Sequence, residues 1–153
     1  MARIECDKTL CSGCLACVVA CMDQHYDETE VEAVSPRIYE ERVAESGLTN
    51  YVTRSCMHCE DAPCVTACPL QVLEKDEQGF VVVAHQRRCI GCKRCVAVCP
   101  HDVPRFNKDM KIVKCDGCAV RVAHGLQPAC VRACNTGALE LIRESVVWEI
   151  END

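Results

Sequence analysis

The sequence predicts an α+β fold of short strands and short helices, organised as two similar halves around groups of cysteine. Three observations carry this. Cysteine fills 17 of 153 positions while aromatic residues make up 4%, so a conventional apolar core is thin and something else must hold the chain. Sixteen of the cysteines fall into four groups of four: Cys11, Cys14, Cys17, Cys21; Cys56, Cys59, Cys64, Cys68; Cys89, Cys92, Cys95, Cys99; and Cys115, Cys118, Cys130, Cys134. The groups alternate in kind: the first and third share CxGCxxCVxxC, whereas the second and fourth share a CxxC pair followed, after an insertion, by a Pro-containing CVxAC. This is the pattern of a two-group unit duplicated in tandem.

The segments between the groups supply the strands. ARIEC, PRIYEERVAES with NYVTRS, GFVVVAH, MKIVK and ALELI are β-branched or alternating, and each lies just before or just after a cysteine group. Between Cys68 and Cys89, QVLEKDEQGFVVVAHQRR reads as a hairpin with Gly79 at its turn. The cysteine groups themselves read as turns leading into short helices, ended by Pro69 and Pro100.

The spacing has a chemical reason. Thiolates separated by two residues on an irregular turn converge on one metal centre, and a third at the same interval supplies a third corner. The fourth cysteine, one helical turn further on, points at a different centre. CIGCKRCVAVCP, residues 89–100, is the C-x2-C-x2-C-x3-C-P run of bacterial ferredoxins, in which the last cysteine ligates the neighbouring cluster. Structural zinc takes two CxxC pairs per ion and has no use for a triplet with a trailing fourth cysteine. A disulfide scaffold needs an oxidising compartment. The opening MARIECDKTLC has neither the basic nor the apolar part of a secretory leader, and no run is long enough to cross a membrane. A soluble, cytoplasmic chain with reduced thiols is expected.

Four groups at these spacings, including CMHCEDAPCVTACP and the stretched CDGCAVRVAHGLQPACVRAC, resemble the four-cluster electron-transfer subunits of the dimethyl sulfoxide reductase and formate dehydrogenase type over nearly the whole chain. The resemblance implies two bacterial-ferredoxin-like modules related by pseudo-twofold symmetry, one nested in the other. Residues 51–107 form the inner module, residues 1–50 with 108–144 the discontinuous outer one, and residues 145–153 a C-terminal tail. It also implies four [4Fe–4S] clusters. Cys11, Cys14 and Cys17 share one with Cys134; Cys115, Cys118 and Cys130 share one with Cys21; Cys56, Cys59 and Cys64 are completed by Cys99; and Cys89, Cys92 and Cys95 by Cys68. Asn135 stands where a proline often follows, which puts the local turn in question.

The function implied is a wire. Clusters sharing a short helix lie a couple of turns apart, on the order of 10 Å, which suits one-electron hopping. One end is expected to meet a catalytic subunit, a molybdenum or tungsten pterin oxidoreductase acting on formate, an aldehyde or a similar molecule. Because relatives anchored to membranes carry a further C-terminal segment, the other end is expected to meet a soluble partner: a flavin-containing NAD(P)-linked subunit, a hydrogenase, a ferredoxin or a second copy of the chain. The alternative is a diffusing polyferredoxin serving a hydrogenase or carbon monoxide dehydrogenase.

No catalytic site is expected. His25, His85, His101 and His124 form no constellation with a nucleophile, and His58, inside CMHC, reads as a packing or supporting residue because every corner already has its cysteine. Cys6 reads as a small buried hydrophobe. The formal charge is −6, and four oxidised clusters at −2 each bring it to about −14, which argues against nucleic acid as a partner. Arg87, Arg88, Lys93, Arg94 and Arg132 stand beside the cysteines either to raise cluster potentials and dock an acidic partner or simply to form a solvated face. Trp148, among Val146, Val147 and Ile150, is expected to cover the protein's own strands, the alternative being a tail that docks a partner.

Overall fold

A computed structural model of the chain describes residues 2–26 and 34–143. In chain order the elements are β1 (Ala2–Cys6), α1 (Ala16–His25), β2 (Ile38–Val43), β3 (Thr49–Arg54), α2 (Pro63–Thr66), β4 (Leu73–Lys75), β5 (Val81–Val83), α3 (Arg94–Ala97), β6 (Arg105–Phe106), β7 (Ile112–Val113), α4 (Ala119–Ala123), α5 (Ala129–Arg132) and β8 (Leu139–Arg143). The expected strands are present. β4, of three residues, pairs with β5 as the first arm of the hairpin expected over 71–88, whereas β6, of two residues, is too brief to leave a periodicity in the sequence and exists because it pairs with β7. The tail at 145–153, with Trp148, lies outside the described residues.

Among the described residues every sheet has two strands: β1 with β8, β2 with β3, β4 with β5, and β6 with β7, all antiparallel. The first pairing determines the architecture. Ala2 lies opposite Arg143 and Cys6 opposite Leu139, and Asp7 N–H continues the ladder onto Ala138 O at 2.7 Å. The start and end of the described chain are thereby tied together. α1, carrying Cys17 and Cys21, packs against α5, which carries Cys130. Inside that frame α2, carrying Cys64, packs against α3, carrying Cys95.

The two short hairpins are closed by the same device. Asp76 Oδ1 accepts from Gln78 N–H (3.0 Å) and Phe80 N–H (2.7 Å), and Asn107 Oδ1 accepts from Asp109 N–H (3.1 Å) and Lys111 N–H (2.9 Å). Such side-chain turns need a left-handed residue at the corner. Gly79 supplies it at φ 85° and Met110 at φ 56°.

The core is small. One buried cluster gathers Cys64, Val72, Leu73, Val81, Cys89, Cys95 and Ile112; another gathers Ile4, Cys17, Cys130 and Leu139; a third gathers Ala2, Phe80 and Val122. Phe80 is fully buried. Cys6 is only half-buried, at the margin of the second cluster, with its thiol against that of Cys11. The expectation of a buried residue is met in part, since Cys6, the last residue of β1, is half-buried.

Candidate metal centres

Each cysteine loop bends through the same backbone conformation. The residue before the second cysteine of each CxxC has positive φ: Gly13 at 70°, His58 at 47°, Gly91 at 68° and Gly117 at 71°. A left-handed residue there turns successive N–H groups inward, the arrangement that cradles an anion. His58 N–H points at Cys56 Sγ (3.4 Å) and Gly117 N–H at Cys115 Sγ (3.3 Å). A second repeated turn follows the last cysteine of three groups, where Gln71, Asp102 and Gly137 N–H donate back to the carbonyls of Cys68, Cys99 and Cys134 at 3.2–3.3 Å. Asn135 in place of proline therefore leaves the turn unchanged.

Gly117 is needed for space as well as for φ. A Cβ added there would lie 2.2 Å from a ring carbon of Phe80. Overpacking of this kind costs about 1–3 kcal/mol and the left-handed conformation about 1–2 more. Gly117→Ala is expected to lower the thermal midpoint by roughly 4–20 °C at about 2–4 °C per kcal/mol. Gly125 has φ 73° and nothing within 4 Å of an added Cβ, so Gly125→Ala bears only the smaller cost. Equal shifts in the two variants would contradict the close approach of Phe80.

The structure brings distant cysteines together. Cys56, Cys59, Cys64 and Cys99 line one apolar cavity with Val81 and Val103. Cys68, Cys89, Cys92 and Cys95 line another with Leu73, Phe106 and Ile112. The Cys21 thiol is pushed well above its ordinary pKa by burial and then by the charges of Cys115, Cys130 and Cys118. Burial, and neighbouring thiolates against the opposing charge of Arg37, push Cys130 to about 12. Cys134 packs with Cys17 and Cys130 in the core between α1 and α5. An ion pair fastens this side: His25 Nε2 lies 2.9 Å from Asp116 Oδ1, which also accepts from Cys118 N–H at 2.8 Å. His25 Nδ1 faces the Cys21 carbonyl at 2.7 Å. The Asp116 carboxylate, against burial, holds the His25 pKa above its ordinary value.

Shared buried clusters link the four cysteine groups: Cys17 with Cys130, Cys115 with Cys56 and with Cys99 beside them, and Cys64 with Cys95. Among the cysteines, Cys14 and Cys92 alone are exposed, one in the first group and one in the third.

Do these sites suit iron–sulfur clusters? All seventeen cysteines are free, although most are buried beside other cysteines. Four thiolates around one zinc, each about 2.3 Å from it, would bring the sulfurs within about 4 Å of one another. Among the described residues, the grouping of three or more ligand atoms within 4.8 Å is His25, Asp116 and Cys118, so no cysteine quartet is drawn as tight as zinc requires. Two buried donors are also without an acceptor among the described residues, Arg37 Nη2 and His58 Nε2. His58 Nδ1 accepts from Val81 N–H at 2.9 Å, which leaves the proton on Nε2, and burial, then the charge of Lys114, holds its pKa down to about 3. Buried donors need acceptors. Inorganic sulfide and thiolate are acceptors, and the residues present fit a cluster.

Arg37 and Lys114 were not legible as site residues. Both are buried, at 2% and 5% exposure, whereas Arg87, Arg88, Lys93, Arg94 and Arg132 are all exposed. Lys114 Nζ donates to the carbonyls of Val81 and Cys115. His58 did carry a signal, since it stands where the other three loops have glycine.

A family model describing a 4Fe-4S dicluster domain matches residues 48–144. The sequence is 39% identical over 145 residues to the B subunit of the anaerobic dimethyl sulfoxide reductase of Escherichia coli, covering 88% of this protein and 69% of the relative. It is equally similar, at 39% over 145 residues, to YnfG of that organism, a probable anaerobic dimethyl sulfoxide reductase subunit. It is 42% identical over 141 residues to the thiosulfate reductase electron transfer subunit PhsB of Salmonella typhi, covering 90% of this protein and 73% of the relative.

Proposed function

Because the chain belongs to the 4Fe-4S dicluster family, within the iron–sulfur subunits of the dimethyl sulfoxide reductase type, we propose that it is a wire of four [4Fe–4S] clusters between a catalytic subunit and a second redox partner. Its role is electron transfer and it performs no catalysis itself. When bound, each cluster supplies a carrier of one electron at a time.

The observation that supports the wire is the succession of shared buried clusters linking the four cysteine groups, Cys17 with Cys130, Cys115 with Cys56, Cys64 with Cys95, together with exposed thiols at Cys14 and Cys92. We assign the four ligand sets by the nested pattern: Cys11, Cys14, Cys17 with Cys134; Cys115, Cys118, Cys130 with Cys21; Cys56, Cys59, Cys64 with Cys99; Cys89, Cys92, Cys95 with Cys68. The cavities holding the last two sets and the crowding of Cys21 by Cys115, Cys118 and Cys130 support it. The modules are then residues 51–107 and residues 1–50 with 108–144. The apolar linings keep water from the thiolates, and backbone N–H groups of the left-handed loops compensate their charge.

The catalytic partner is a molybdenum or tungsten pterin oxidoreductase. The relatives are named for reductases of dimethyl sulfoxide and thiosulfate, so these two compounds join formate and aldehydes as its candidate substrates. No helix among the described residues is long and apolar enough to cross a membrane. We place the chain in the cytoplasm, with a flavin-linked subunit, hydrogenase, ferredoxin or second copy of itself at the other end.

Anaerobic affinity purification from cells of its source tests this. A partner containing molybdenum or tungsten, in about one-to-one ratio, is expected, with cluster absorbance that bleaches on formate or returns on dimethyl sulfoxide or thiosulfate. A chain that purifies alone, fully loaded with iron and reducible by hydrogenase or carbon monoxide dehydrogenase, would favour the diffusing polyferredoxin.

A further inference from the structure

Arg37 is the one arginine buried among the described residues. It precedes β2, and its guanidinium is held by the opposite side of the hairpin. Nε donates to Thr53 Oγ1 at 3.1 Å and Nη1 to Ser55 Oγ at 3.2 Å, both hydroxyls being buried as well. Nη1 also points at Cys130 Sγ at 3.6 Å, and the Cys17 thiol lies 3.8 Å from the same Thr53 oxygen. The cation therefore sits between two cysteine sets, one containing Cys17 and one containing Cys130. No carboxylate pairs with it among the described residues, and Nη2 has no acceptor there. An unpaired buried charge is costly to keep. Thr53 and Ser55 are neutral and cannot offset it.

We infer that Arg37 is the shared counter-ion of the two clusters bounded by Cys17 and by Cys130, and that its charge and hydrogen bonds raise the reduction potential of both. The inference rests on the iron–sulfur reading above. Each cluster gains one negative charge when it takes an electron, so a fixed cation beside it favours the reduced state. A guanidinium stays charged at every working pH, and its fork donates to two neighbours at once. Thr53 and Ser55 fix its position in the hairpin, so the charge cannot drift out to water, where it would be screened.

Anaerobic potentiometric titration followed by electron paramagnetic resonance tests this in the full chain. With about sixteen iron retained, Arg37→Gln is expected to shift two of the four signals to more negative potential and to leave the other two in place, and Arg37→Lys is expected to restore most of the shift. Unchanged potentials in Arg37→Gln, or an equal shift of all four, would overturn the inference.

Loss of iron from Arg37→Gln would not leave the matter open, because the unaltered protein can be read directly. Reduced protein grown with guanidino-15N arginine is expected to show 15N coupling to a cluster in pulsed resonance spectra, and absence of that coupling overturns the inference. The underlying reading fails separately. A wild-type protein without four cluster signals contradicts the wire, whereas four intact signals that ignore Arg37 contradict only its role.

Discussion

Stripped of iron under reducing, anaerobic conditions, the chain will lose its fold. The described elements cannot stand alone: each sheet has two strands, which is marginal in water, and apart from α1 with ten residues the helices have four or five. Cys17, Cys21, Cys56, Cys64, Cys89, Cys95, Cys115, Cys118 and Cys130 occupy the buried core beside a single large aromatic, Phe80. Burial pushes the thiols of Cys56, Cys95 and Cys118 up to about 11, so an iron-free core would hold crowded neutral thiols in place of metal bonds. Metal binding is then folding free energy. Circular dichroism should show loss of ordered structure and of any cooperative thermal transition. A native-like spectrum with a sharp transition after complete iron removal would contradict this.

The second large effect concerns Cys134, more than one hundred positions from Cys11 in the chain. Pairing of β1 with β8 and packing of α1 on α5 bring their segments together, and Cys134 shares a core cluster with Cys17. Against burial, the Thr136 hydroxyl and then the backbone N–H groups of Leu139, Ala138 and Thr136 together lower the Cys134 pKa, which favours the thiolate that iron needs. Cys134→Ser is expected to alter or abolish the same resonance signal as Cys14→Ser and to spare the other three. Under a pairing of adjacent groups, third with fourth, Cys134→Ser would instead match Cys92→Ser.

Much of the candidate site was legible because it is local. In the first and third groups a CxxC turn and the helix after it fit within a dozen residues, and the spacing alone marks three candidate ligands. The strands at ARIEC and ALELI were legible for the same reason, by alternation within five residues. What escaped depends on partners far away in the chain. Arg37 looks like any charge before a strand until the hairpin register places it opposite Ser55, and the buried Lys114 relies in part on the distant Val81 carbonyl. The His25–Asp116 pair spans 91 positions and leaves no periodic trace. β6 owes its existence to β7 and to the Asn107 turn, not to any preference of Arg105 and Phe106.

Iron and acid-labile sulfide, measured together with zinc on protein purified without oxygen, test the central claim most directly. Four cysteine quartets with four-iron clusters require about sixteen iron and sixteen sulfide per chain, with four one-electron signals on full reduction. Stoichiometric zinc with no sulfide, or iron near eight, would contradict it.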